Sequence, residues 1–179
     1  MTIWDAIYKN YQSGGPAWAT LKDGLHPSFI EFIEQADFEI KNALDIGCGN
    51  GKYLLFLNKL GFSITGLDSS PTAISMATGA AKNSGHFIVA DMYDYPYQAD
   101  AYDLVISHAA LHHGIKAKVL SLVGKIHGLL VVKGNLFLSL PSDDCKKNWP
   151  TMAGHETLPD GTCIPLQGPE KGLPHSFFS

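Results

Sequence analysis

Asp45-Ile46-Gly47-Cys48-Gly49-Asn50-Gly51 sets an acid and three alternating glycines between an apolar run, Ala43 to Ile46, and a helix-like segment, Lys52 to Leu60. A strand that enters a glycine-rich turn and leaves through a helix N-terminus can cradle a nucleotide. The glycines admit close backbone approach, and the helix start offers N–H groups that lack intrahelical partners. A dinucleotide fingerprint reads G-x-G-x-x-G; in this chain the third glycine comes one residue early, and Asp45 stands two residues before the first. Further acids occupy comparable places. Asp68 closes a second apolar run, Phe62 to Leu67, 17 residues after Gly51, where a carboxylate can accept both hydroxyls of a ribose. Asp68-Ser69-Ser70-Pro71 also has the form of a capped helix start. Both readings hold if Ser69 or Ser70 caps while Asp68 faces the sugar. Asp91-Met92 ends a third run, Phe87 to Ala90, and a fourth run, Leu104 to Ala110, carries Ser107-His108 and leads into Leu111-His112-His113.

The D-x-G-x-G-x-G run, with an acid at each of the next two strand ends, resembles the class I S-adenosylmethionine (SAM) dependent methyltransferases over roughly residues 40–140. The resemblance implies that Asp45, Gly47, Cys48, Gly49 and Gly51 form the cofactor loop, that Asp68 holds the ribose, and that Ser69 belongs to the cofactor site. It also implies that Asp91 takes the exocyclic amine of adenine, that Met92 packs on the ring, and that Ser107 and His108 are among the cofactor-binding residues. SAM carries a sulfonium and an ammonium and no phosphate. An acid at the end of the first strand, awkward beside a pyrophosphate, is therefore acceptable. Methyl transfer is an in-line displacement at an already electrophilic carbon, so a protein mainly positions, desolvates and, where needed, deprotonates the acceptor. His112 and His113 are the candidate bases, since histidine titrates near neutrality; the alternative is that they stabilise a turn. Tyr8 and Tyr11 are either a lid over the cofactor or core aromatics. The expected activity is methyl transfer to a small-molecule acceptor. The alternatives are a SAM-binding protein without catalysis and, further off, an NAD-dependent oxidoreductase. Gly168-Pro169-Glu170-Lys171-Gly172-Leu173-Pro174-His175 looks like a segment of small bacterial methyltransferases, some related to tellurite-resistance proteins.

The elements that would position these residues alternate. Strand-like runs at 43–47, 64–68, 87–91, 104–110 and Leu136 to Leu140 are separated by helical segments, which predicts an α/β fold with a doubly wound, mostly parallel sheet. Residues 1–41 read as a helical cap in which Ile30, Phe32, Ile33 and Phe38 cover the sheet. Residues 42–140 form the cofactor-binding core, with a helix from Lys116 to Leu130 and an exit turn at Lys133-Gly134-Asn135. That turn departs from the family's usual Pro-Gly-Gly. Six of the ten prolines fall in residues 141–179, which predicts a loop-rich segment on the substrate side; Trp149, Ile164, Phe177 and Phe178 suggest that it packs on the domain. The resemblance further implies two closing antiparallel strands that this chain does not reach. An incomplete sheet edge, and a homodimer formed through it, are thus expected.

Composition narrows the partners. A formal net charge of −4, with all 13 basic residues being lysine and none arginine, argues against a nucleic-acid substrate. No apolar stretch approaches the ~20 residues of a membrane span, and the first residues lack a signal-peptide pattern. Three cysteines, one of them in the glycine loop, fit a reducing, cytoplasmic setting. Cys145, His155, Cys163 and His175 are separated by 10, 8 and 12 residues, which matches no zinc pattern, so no metal site is expected.

Overall fold

Successive residues of each central strand turn to opposite faces of the sheet, and both faces are apolar. In β1 (Asn42–Ile46), Ala43 packs on one side while Leu44 and Ile46 pack on the other, all without solvent exposure. A strand buried on both faces needs helices on both faces, and the fold supplies them. The structure, a computed structural model, describes residues 1–15, 24–82, 84–148 and 154–179; Trp149 lies outside the described residues. Five strands, β1, β2 (Ser63–Asp68), β3 (His86–Val89), β4 (Tyr102–His108) and β5 (Leu130–Ser139), form one sheet in the order β3-β2-β1-β4-β5, every pairing parallel. The helices are α1 (Ile3–Gln12), α2 (Pro27–Gln35), α3 (Lys52–Lys59), α4 (Pro71–Ala81) and α5 (Lys116–His127).

Ala43, Ile64, Leu104 and Ile106 meet Phe29 of α2, Leu54 and Leu57 of α3, and Ile74 of α4. Leu44, Ile46, Leu67 and Val105 meet Val119, Leu122 and Ile126 of α5 on the opposite face. The doubly wound α/β architecture expected from the sequence is therefore present. Among the described residues no helix is long and apolar enough to cross a membrane.

The N-terminal cap is two helices with different tasks. α2 lies on the sheet, its Phe29 ring centroid 5.0 Å from that of Phe137, and Phe38 beyond it sits 5.0 Å from Phe62. α1 is held elsewhere, by a buried acid. Asp5 accepts from Ser70 Oγ (3.2 Å), Thr72 N (3.1 Å) and Thr72 Oγ1 (2.7 Å) at the start of α4, and pairs with Lys9 Nζ at 2.9 Å. The Thr72 hydroxyl, before all else, holds the Asp5 carboxyl far below the usual carboxylate range. Ser70 caps α4, its Oγ accepting from Ala73 N at 3.1 Å.

Two readings of the sequence need correction. β3 stops at Val89 and β4 at His108, so Asp91-Met92 and Ala109-Ala110 lie in loops beyond the strand ends. Lys133-Gly134-Asn135 is not an exit turn but part of β5, and α5 ends at His127 with Gly128 as its cap. The pairing shows why the glycine misleads: from Tyr102↔Leu130 to Leu104↔Asn135, β4 advances two residues while β5 advances five. The extra residues form a bulge, with Lys133 at φ 64°. The segment after Pro141 is loop-rich, with short regular pieces among the described residues. It holds a 3-10 turn, Asp143–Asn148, and a hairpin of β6 (His155–Thr157) against β7 (Cys163–Pro165). Three-residue strands are too short to show a period of two.

Asp103, 3% exposed, ties the entry to β1: its carboxylate accepts from the backbone N–H of Glu39 (3.2 Å), Ile40 (3.1 Å) and Asn42 (2.9 Å). Asp103→Ala leaves those donors without their carboxylate, at roughly 1 kcal/mol each after water partly replaces it. At about 2–4 °C per kcal/mol for a domain of this size, the melting temperature should fall by roughly 6–12 °C. A calorimetric melt within 2 °C of the wild type would refute the clamp.

Candidate functional site

The C-terminal ends of β1, β2 and β4 and the loop after β3 surround a cavity of about 290 Å³. Its floor is the loop after β1. Gly47 N and Cys48 N both donate to Leu67 O, at 2.8 and 2.9 Å, which locks the loop to the end of β2. Gly49 N donates to Asp68 Oδ2 at 3.0 Å, and Ser70 N to Oδ1 at 2.8 Å. One carboxylate thus fixes the glycine loop and the start of α4 together. Burial raises the Asp68 carboxyl above the usual carboxylate range, opposed by the N–H groups of Ser70, Gly49 and Ser69. Asp45, 2% exposed, is pushed up to about 8 by burial, with the nearby Asp68 charge adding to it. Burial likewise pushes the Cys48 thiol well up, so it is an inert wall atom rather than a nucleophile.

Around this floor stand Ser69, Asp91, Met92, Tyr93 and His108. Asp91 Oδ1 accepts from Tyr93 N at 2.8 Å, Tyr97 donates its hydroxyl to Met92 O at 2.8 Å, and Tyr93 donates to Leu111 O at 3.0 Å. The tyrosines after β3 therefore shape the loop that carries Asp91 and Met92. His108 Nδ1 lies 2.9 Å from Ser139 Oγ; burial first, then His26 and Lys52, lowers its pKa. The backbone turns sharply just beyond, at Ala109 with φ 53°. α1 supplies the roof: Trp4 and Tyr8 line the cavity with Thr2 and Ile3, whereas Tyr11 does not.

Of the residues singled out by sequence, Asp45, Gly47, Cys48, Gly49, Asp68, Ser69, Asp91, Met92, His108 and His113 line the cavity. Gly51, Ser107 and His112 do not. Gly51 caps α3 in the left-handed region, and a Cβ there would meet Ala77 at 3.0 Å and Phe87 at 3.4 Å. Ser107 is fully buried and donates to Ile46 O at 2.8 Å, joining β4 to β1. His112, 1% exposed, lies behind His113, the two ring centroids 3.8 Å apart. Burial pushes His112 down to about 3, with His175 adding and Glu170 opposing, and holds His113 well below the ordinary histidine value. Burial thus favours the uncharged form of both rings. His113 Nδ1 faces Ala110 O at 3.1 Å and its Nε2 faces Glu170 Oε1 at 4.0 Å, so protein groups attend both nitrogens. Trp4, Asn50, Lys52, Tyr53 and Leu173 also line the cavity and were not singled out as site residues by the sequence. Tyr53 and Lys52 could have been found from the helix face that follows the loop; Trp4 and Leu173 arrive through tertiary packing alone.

The sequence profile of the methyltransferase domain matches residues 44–138, the stretch from β1 through β5. The chain belongs to that family. Ajmaline N-methyltransferase of Rauvolfia serpentina is 34% identical over 91 residues, covering 48% of this chain and 31% of that enzyme. The 2-heptyl-1-hydroxyquinolin-4(1H)-one methyltransferase of Mycobacteroides abscessus is 32% identical over 90 residues, covering 48% and 39%. The matched segment thus spans about a third to two-fifths of these relatives. Among solved structures, the DhpI–SAM–HEP complex superposes with a TM-score of 0.67 at 18% identity over 98% of this chain and 79% of that one, a likeness of fold. A structure concerned with converting a disulfide bond into a thioacetal group during echinomycin biosynthesis gives a TM-score of 0.63 at 28% identity, over 72% and 54%.

S-adenosylmethionine is the cofactor of this methyltransferase domain, and the residues present fit it. Two buried carboxylates and the exposed Asp91 suit a ligand with cationic groups, hydroxyls and an amine. The side-chain-free edge at Gly47 and Gly49 leaves room for close approach; a Cβ on Gly47 would run into that of Ala110, and one on Gly49 into the Tyr8 hydroxyl. The cavity volume matches the lower end of small-ligand sites.

Proposed function

We propose that this domain transfers the methyl group of SAM to a small-molecule acceptor. The observation that carries the reading is the convergence of the Gly47–Gly49 loop with Asp45, Asp68 and Asp91 on one cavity roofed by Trp4 and Tyr8. In this reading Asp68 accepts the ribose hydroxyls, Asp91 the adenine amine with Met92 against the ring, and Asp45 faces the cationic end. Bound SAM supplies an electrophilic methyl carbon on sulfur. The protein's part is to orient that carbon, to exclude water with α1 and the segment around Leu173, and to hold the acceptor in line. His108 is the imidazole on the cavity wall best placed to serve as a base, since burial lowers its pKa and an unprotonated imidazole can take a proton from an acceptor O–H or N–H, whereas His113 has protein groups at both nitrogens. His112, which does not reach the cavity, acts only through its neighbour.

Small-molecule acceptors are supported by the names of the ajmaline and heptylquinolone relatives and by the arginine-free, net negative chain. Comparable identities reach a tRNA methyltransferase of Saccharomyces cerevisiae, at 30%, so the absence of arginine carries the distinction from nucleic acid. We read residues 1–179 as a single domain with a helical cap, a cofactor core and a substrate-side segment. A cytoplasmic setting is supported by the free Cys48, Cys145 and Cys163. A homodimer through the β5 edge is supported by that strand's position and by Val132, 87% exposed.

Calorimetric titration with SAM and S-adenosylhomocysteine, with NAD as control, tests the cofactor. Micromolar binding of the first two and none of NAD is expected. The affinity should also depend on pH. With its carboxyl near 8, free Asp45 is mostly protonated at pH 6.5 and must lose that proton to face a cation. SAM affinity should therefore rise by up to tenfold per unit below pH 8 and level off above it, with proton release visible in buffers of different ionisation heat. A flat profile would take Asp45 out of contact with the cationic end. Stronger binding of NAD would overturn the reading.

A further inference from the structure

Four side chains from two distant stretches meet beside the cavity: His112 and His113 from the loop after β4, Glu170 and His175 from the segment after β7. One ring nitrogen from each of the three histidines lies within 4.8 Å of the others. His175 Nε2 stands 3.1 Å from Glu170 Oε2, and His113 Nε2 stands 4.0 Å from Glu170 Oε1. The opposite nitrogens are already engaged. His175 Nδ1 lies 2.8 Å from the Leu173 carbonyl, and His113 Nδ1 lies 3.1 Å from the Ala110 carbonyl. A carbonyl only accepts, so each Nδ1 carries the hydrogen, and a neutral ring then presents a lone pair at Nε2. Each Nε2 thus faces a carboxylate that also only accepts. A proton or a metal ion is what can join such a cluster.

We propose that His112, His113, Glu170 and His175 bind a divalent d-block cation of the Zn²⁺ class, which fastens the C-terminal segment to the loop after β4. Three imidazoles and one carboxylate are the donor set that such an ion takes, and an N–H donated to a backbone carbonyl is the usual support for a ligating histidine. Tetrahedral N and O donors at ~2.0–2.2 Å from zinc stand roughly 3.3–3.5 Å apart. The histidine nitrogens lie within 4.8 Å of one another and His113 Nε2 stands 4.0 Å from Glu170, so a bound ion would draw the donors together. His175, His112 and Glu170 are 0%, 1% and 4% exposed and only His113 reaches the cavity wall, which describes a largely enclosed, structural site. The two stretches are also aligned by the backbone: Ser176 N donates to His112 O at 2.8 Å, and Ser176 Oγ to Gly114 O at 2.7 Å. This inference does not rest on the SAM reading, because the ion's donors need no cofactor.

The experiment uses the untagged chain, treated with EDTA, desalted, and titrated with ZnCl₂ by calorimetry and with CoCl₂ by absorbance. One Zn²⁺ per chain, a raised melting temperature, and Co²⁺ ligand-field bands without thiolate charge transfer are expected. Glu170→Gln and His175→Asn should each weaken binding at least tenfold, while His155→Asn, in β6 and outside the cluster, should leave it unchanged. A natively folded wild type that takes up no Zn²⁺ overturns the proposal and leaves a proton as the shared cation. A thiolate charge-transfer band overturns it too, by moving the ion to the cysteines, as does full binding by both cluster variants. Should those variants fail to fold, wild-type stoichiometry and the Co²⁺ spectrum decide.

Discussion

Gly49→Val should remove detectable SAM binding, a loss of at least a hundredfold, while the chain stays folded. Gly49 has φ +55°, and the residue donates its N–H to Asp68. A β-branched side chain in the left-handed region costs of order 1–3 kcal/mol. The chain can relieve that strain by flipping the peptide, which takes the N–H away from Asp68, or it can keep the conformation and find room for the side chain. The room is occupied: the added Cβ would run into the Tyr8 hydroxyl. Tyr8 can swing, but α1 is anchored through Asp5 to Ser70 and Thr72, so the tyrosine moves only across the cavity mouth. Either response spoils the ligand's place without opening the core. Gly61→Val is the control, since Gly61 has φ +88° at the end of α3 and a Cβ there meets nothing. It carries comparable backbone strain with no part in the site. Calorimetry and thermal melts on both variants check the argument. If Gly49→Val binds SAM as the wild type does, the loop after β1 is not the cradle.

The sheet and the floor of the cavity were legible in the sequence because each rests on a local signal. Strand-length apolar runs ending in Asp45 and Asp68 mark β1 and β2, and a glycine every second residue marks a turn that no other sequence makes so well. What escaped is tertiary in origin. Ser107 shares the apolar run with His108, and only the pairing of β4 with β1 decides that its hydroxyl serves Ile46 rather than the cavity. The glycine at 134 reads as a turn, yet the register of β5 on β4 absorbs it as a bulge. Trp4 reaches the roof because Asp5, one residue on, is buried against α4, a contact 65 residues away in sequence. The histidine cluster was out of reach for the same reason. The spacing of His175 from the tail cysteines matches no metal pattern, and its neighbours are His112 and His113, on the other side of α5 in the chain.

Asp68→Ala should raise the dissociation constant for SAM by roughly 10²–10⁴-fold while lowering the melting temperature far less than that loss suggests. The affinity term follows from two charge-assisted hydrogen bonds to the ribose, about 1.5–3 kcal/mol each, with about 1.4 kcal/mol per tenfold. The stability term is smaller because two effects oppose. Gly49 N–H and Ser70 N–H both lose their acceptor, which destabilises the loop and the start of α4. The variant also relieves a desolvated carboxylate, and the raised pKa of Asp68 says that burial outweighs those N–H bonds for the charged form. Asp68→Asn separates the roles further, since its single carbonyl oxygen can serve one donor and its amide opposes the other. A cofactor analogue tests the contact itself: the wild type should prefer S-adenosylhomocysteine to its 2′,3′-dideoxy form, and Asp68→Ala should lose that preference. If the variant binds SAM weakly yet still discriminates the two ligands, Asp68 acts by holding Gly49 and Ser70 in place, and the ribose contact belongs to another group. If its affinity is unchanged, the acid at the end of β2 serves only the fold.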